Sequence, residues 1–277
     1  QAEFANYQKI PEYQQLNRGM TLAGFKAIYF WEYIHRVLGR LIGLAFALPL
    51  VWFAVRRRVP RGYGWRLSAI LALGGLQGAI GWWMVSSGLS VRTDVSHIRL
   101  AVHLLTALLI LATIVWTALD LGALARDPLA RPARMRPLAL LALLLLGAQI
   151  MYGAFTAGLD AGYAFASWPL MGDSLFPADV PMLTPALGNA VDNPIVVQFI
   201  HRWLAFVAAG GLFWLALRAG RPTGAAVVLL VVLQVSLGIA TLLSGVQIGI
   251  AVAHQANAAL LLIASVAAAH AIGMRRR

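Results

Sequence analysis

The sequence has no cysteine. That removes disulfides, zinc-thiolate sites, iron-sulfur clusters and covalent c-type haem attachment, and leaves histidine as the obvious soft metal ligand. Charge is scarce as well. Only 12% of the residues are Asp, Glu, Lys or Arg, against 60% hydrophobic, and the mean hydropathy is +0.76. A soluble domain carries roughly 25% charged residues, so the expected solvent is a bilayer. Acidic residues are scarcest, 10 against 22 basic, for a net charge of +12. So few cations cannot tile a phosphate-binding face, which excludes nucleic acid as the partner. Membrane orientation explains the basic excess instead, because arginines gather in short cytoplasmic loops.

What is present is a series of seven apolar runs of about 20 residues, long enough to cross the hydrocarbon core as helices. They lie at about 34–55, 67–87, 98–119, 137–157, 197–217, 223–244 and 249–272. Backbone polar groups in lipid must be satisfied within their own segment, so the expected fold is all-α, a polytopic transmembrane helical bundle. The connections alternate in charge. Arg56, Arg57, Arg58, Arg61 and Arg66 fill one, Arg126, Arg131, Arg134 and Arg136 a second, Arg218 and Arg221 a third, and Arg275, Arg276 and Arg277 the tail. All four fall on one side of a seven-span chain. The stretch from Gly158 to Val196 has Asp160, Asp173, Asp179 and Asp192 and no Lys or Arg, and falls on the other. This places the C-terminus in the cytoplasm and residues 1–33 outside. Residues 1–33 carry no signal-peptide pattern, so the expectation is that one further span precedes Gln1.

The chain repeats itself. Ile34-His35-Arg36-Val37-Leu38 matches Ile200-His201-Arg202-Trp203-Leu204, Leu76-Gln77 with Gly81 matches Leu233-Gln234 with Gly238, and Ala101-Val102-His103 matches Val252-Ala253-His254. Gln149 and Gly153 repeat the Gln-x-x-x-Gly spacing in the fourth run. Two parallel units of four helices each are the expected architecture, one over residues 1–136 lacking its first helix and one over 137–277.

Ionisable side chains within spans are costly, so His35, His103, His201 and His254 are candidate functional residues. Histidines on two helices of one unit can approach a flat macrocycle from opposite faces and supply both axial positions of its iron. The repeat makes two such pairs, His35 with His103 and His201 with His254. The alternative is hydrogen-bonded packing histidines, which the duplication disfavours. His97 and His270 break the pattern and are expected at solvent or an interface. Arg36 and Arg202 follow the outer histidines where haem propionates would emerge; snorkelling to the interface is the competing use. The glycines Gly39, Gly43, Gly78 and Gly81 are expected to allow close helix or macrocycle approach.

The two units differ at one informative place. Glu32 stands three residues before His35, and Gln198 three before His201. A carboxylate beside a haem can act as general base or stabilise developing positive charge, and an amide cannot. A salt bridge from Glu32 to Arg36 is the plainer alternative. The first unit is therefore expected to be reactive and the second a bis-histidine electron carrier.

The segments Glu32-Tyr33-Ile34-His35-Arg36-Val37-Leu38-Gly39-Arg40 and Leu76 to Leu89, with Tyr13 to Met20 and the His201 and His254 motifs, resemble the cysteine-free haem A synthase family of proteobacteria and mitochondria along essentially the whole chain. The resemblance implies eight transmembrane helices in two related four-helix halves, and an inner-membrane oxidoreductase that converts the C8 methyl of haem O to the formyl of haem A. It implies one permanent b-type haem on His201 and His254, with the substrate haem near His35 and His103 and Glu32 as the essential carboxylate. Haem O, membrane lipid, a haem O synthase and an electron acceptor are the partners it brings. The family's first helix and following Gly-Leu-Thr-Arg-Leu-type segment have no counterpart here. The competing readings are a non-enzymatic dihaem b-type cytochrome and, more distantly, a transporter.

Overall fold

The computed structural model describes residues 1–90 and 92–274. Arg275, Arg276 and Arg277, assigned above to the cytoplasmic tail, lie outside the described residues. Ten α-helices occur among those described: α1 (Ala2–Tyr7), α2 (Pro11–Gln15), α3 (Leu22–Val55), α4 (Tyr63–Val85), α5 (His97–Arg126), α6 (Pro137–Gly158), α7 (Asn189–Asp192), α8 (Pro194–Ala219), α9 (Thr223–Leu243) and α10 (Ile248–Met274). The seven long ones are apolar enough to cross a membrane and correspond to the seven expected runs. The protein is an all-α membrane protein.

The largest departure from the expected limits is α3, which begins twelve residues earlier than the apolar run it contains. Its 34 residues make a rod of about 50 Å at 1.5 Å per residue, well beyond a hydrocarbon core of about 30 Å. Hydropathy sees only the part in lipid. The start is set by local chemistry: Thr21 accepts a hydrogen bond from the Gly24 amide at 3.2 Å, a side-chain N-cap. The consequence is that Glu32, His35 and Arg36 stand on one continuous helix.

The backbone falls into two compact units, Gln1–Ile110 and Leu111 onward, divided within α5. In the first, α1 and α2 fold onto the start of α3 around Phe25, whose ring lies 5.2 Å from Phe4 and 5.1 Å from Tyr7. Asn17 Nδ2 donates to the Tyr7 hydroxyl at 2.8 Å and to Glu12 at 3.1 Å, which ties the arm together. Helix α3 then packs on α4.

In the second unit α6, α8, α9 and α10 form a bundle. Val197, Leu212, Leu215, Val227, Leu261 and Val266 fill its centre. Gly224 is required there: a Cβ would meet the Ala216 carbonyl, so α8 and α9 turn tightly against one another. The end of this unit opposite the matched histidines is closed by polar groups. His270 is buried, not at solvent or an interface, and its Nε2 lies 2.9 Å from Asp120 Oδ1. Asp120 Oδ1 also accepts from the Ala133 amide at 2.9 Å, and Trp116 packs edge-on to His270 at 5.1 Å. His97 likewise departs from expectation, being the buried first residue of α5.

Candidate functional site

The repeat places its histidines on helices that face one another. In the first unit His35 of α3 and His103 of α5 have ring centroids 6.5 Å apart, with planes inclined by 65°. A metal held by two imidazoles needs two bonds of about 2 Å plus half a ring on either side, about 6 Å in all. The pair has that spacing. In the second unit His201 of α8 lies within electrostatic reach of His254 of α10, on helices packed together.

Three of the four histidines are seated by a glutamine and a glycine of a neighbouring helix. Gln77 of α4 donates its amide N–H to the His103 carbonyl at 2.9 Å and stands 3.1 Å from His103 Nδ1. Gln149 of α6 donates to the His201 carbonyl at 3.1 Å and stands 3.1 Å from His201 Nδ1. Gln234 of α9 lies 3.2 Å from His254 Nδ1, its own oxygen accepting from Asn257 at 2.7 Å. One turn further along each of these helices a glycine admits the ring. A Cβ on Gly81, Gly153 or Gly238 would stand 2.9, 3.2 or 3.0 Å from Cε1 of His103, His201 or His254. Spacing i to i+4 puts glutamine and glycine on one helix face, so the Gln-x-x-x-Gly that marks the repeat is a histidine cradle. By contrast Gly39, Gly43 and Gly78 have nothing within 4 Å of an added Cβ. Of the close approaches expected of this group, that of a neighbouring helix's side chain occurs at Gly81.

The donor set fits a haem. In the first unit two imidazoles on two helices stand at the spacing that can supply both axial ligands of a flat macrocycle's iron. Gln77 Oε1 and Gln149 Oε1 are buried and have no partner, a condition that costs about 1–3 kcal/mol for each atom left so.

The residues flanking His35 and His201 behave differently in the two units. Glu32 Oε2 accepts from Arg36 at 3.3 Å, and both side chains are more than a third exposed, 60% and 44%. This is the ion pair of the plainer expectation, in a setting where such pairs contribute at most about 1 kcal/mol. Gln198 instead donates to the Phe165 carbonyl at 3.0 Å. Arg202 is buried and donates to the carbonyls of Ser167 at 2.8 Å, Phe165 at 2.9 Å and Leu170 at 3.3 Å. Only its Nε is left buried without a partner. Position 198 thus needs an N–H donor, which explains an amide there, because a carboxylate would face a carbonyl oxygen. Sequence reasoning missed this use of Gln198 and Arg202, since a loop carbonyl has no side-chain signature. It also missed the cradle, although its spacing was in view, and the Asp120 partner of His270.

The family model of the cytochrome oxidase assembly proteins, COX15-CtaA, matches residues 1–266. A heme A synthase of Rhizorhabdus wittichii is 60% identical over 98% of this chain and 79% of its own length. The heme A synthase of Sphingopyxis alaskensis is 53% identical over 99% and 78%, and that of Rhodospirillum centenum 50% identical over 94% and 72%. With three of its four matched histidines seated by one repeated motif and this likeness running from end to end, the chain belongs to the COX15-CtaA family of cytochrome oxidase assembly proteins.

Proposed function

We infer that this chain is a haem A synthase, a membrane oxidoreductase that takes haem O as substrate and oxidises its C8 methyl group to the formyl group of haem A. The observation that carries the reading is the facing pair His35 and His103 at ligating distance, in a chain 60% identical to a heme A synthase. Turning a methyl group and one water into a formyl group releases four protons and four electrons. Both must leave the site.

The chain's residues divide that work. His35 and His103 hold the substrate haem between α3 and α5. Glu32, one turn from His35 on the same helix, takes protons or steadies positive charge at the haem edge. Arg36 orients Glu32 through their ion pair and stands where propionates emerge. A permanent b-type haem on His201 and His254 would supply one-electron redox chemistry. Gln149 and Gln234 orient these two imidazoles, while Arg202 holds the outer segment on α8. The two terminal nitrogens of Arg202 are taken by carbonyls, so contact with a propionate of that haem would fall to its Nε. The charge of the loops favours an orientation with the histidine pairs toward the outer side.

The test is production of haem A by the full chain in cells that make haem O but have no haem A synthase. Haem A extracted from these cells is the expected result. Extracts holding only haems B and O, with the protein folded in the membrane, would reject the reading in favour of a dihaem cytochrome.

A further inference from the structure

Each Gln-x-x-x-Gly helix does two things to a histidine on a neighbouring helix. The amide grips the main chain or the ring, and the glycine removes the one side chain that would push the ring away. In the two seats built by Gln77 and Gln149, the amide nitrogen is fixed by the histidine's own carbonyl, because reversing the amide would set oxygen against oxygen. The amide oxygen is then left buried beside the imidazole with no donor. Gln234 differs, since Asn257 occupies its oxygen, and Asn257 is itself anchored on the Leu230 carbonyl at 3.0 Å.

We propose that Gln77, Gln149 and Gln234, each with the glycine four residues on, are positioning residues that set the plane of an axial imidazole. The proposal rests on the haem reading above. It explains why one spacing recurs on three helices whose other residues differ. A ring held by backbone and amide cannot turn freely about its bond to the metal. The glycine leaves no slack: a methyl group at 153 or 238 would displace the ring edge by a few tenths of an ångström.

The experiment uses the full chain, purified with its haem. Gln149→Met removes the hydrogen bonds while keeping the length of the side chain, and Gly153→Ala pushes on the ring without changing charge. Gly147→Ala, on the same helix with nothing within 4 Å of its added Cβ, is the control. Haem B content is read by pyridine haemochrome, the ligand field by the low-spin ferric g-values, and poise by redox titration. Loss of an outer-shell partner typically weakens metal binding about 10 to 100-fold, so transfer of haem B to an apoprotein acceptor should accelerate on that scale in Gln149→Met. The g-values and midpoint potential should shift in Gln149→Met and Gly153→Ala and stay at the parent's values in Gly147→Ala. If Gly153→Ala fails to accumulate, Gly238→Ala makes the same test on His254. Parental g-values, potential and transfer rate in folded Gln149→Met and Gly153→Ala would overturn the assignment while leaving the haem reading intact. A parent protein without low-spin haem B would instead sink the haem reading, and this inference with it.

Discussion

Glu32 and Gln198 occupy the same place in the two repeats, yet one is an exposed carboxylate and the other a donor to a loop carbonyl. The difference is chemical, since the side chains are nearly isosteric. Glu32→Gln should therefore leave the fold and haem binding intact, while methyl oxidation falls about 100 to 10,000-fold, the usual contribution of one general acid-base group. Haem extracts should show haem O or a hydroxylated product accumulating; normal haem A from a stable variant would leave Glu32 as the ion-pair partner of Arg36. A second residue-scale expectation concerns Asp120, which holds both His270 and the Ala133 amide in a buried setting. Asp120→Ala leaves those donors unpaired, at a cost of about 1–3 kcal/mol for each. Thermal unfolding in detergent should show a clearly lowered midpoint, and an unchanged one would mean that the groups find other partners.

Among the elements, α8 joins a candidate span to the acidic segment before it. Asn193 caps its first turn, accepting from the Ile195 amide at 3.1 Å, and also reaches the Pro181 carbonyl at 3.0 Å. Arg202 and Gln198 hold residues 165–170 a turn or two further in. Arg202→Leu should free this strap without unfolding the helix. Limited proteolysis from the outer side should then cut between 158 and 196 at least severalfold faster than in the parent, and an unchanged rate would show that Asn193, with Asn189 bonded to the Leu183 main chain, suffices. The spans themselves were legible in the sequence because lipid demands apolar runs, and the histidine pairs because a repeat makes rare residues recur. The N-terminal extension of α3 was not, since a helix can be started by a cap such as Thr21 without an apolar run. Nor was the meeting of His270 with Asp120, 150 residues apart, which no local pattern encodes.

On the scale of the whole molecule, the seven candidate spans predict alternating sides for successive connections. The acidic stretch from Gly158 to Val196 and the arginine-rich one from Arg126 to Arg136 should report opposite sides in reporter fusions, the second cytoplasmic. Both on one side would break the arrangement. The central claim is that two histidine pairs of one repeated design do different work, one holding substrate and the other a resident haem. The most direct measurement is haem analysis of His35→Ala, His103→Ala, His201→Ala and His254→Ala in the full chain, with pyridine haemochrome and low-spin spectra read beside haem A production. The account predicts that the first two keep haem B and its low-spin signal but make no haem A, and that the last two lose that signal. Loss of haem B from the His35 and His103 variants, or its retention with a normal low-spin spectrum in those of His201 and His254, would contradict it.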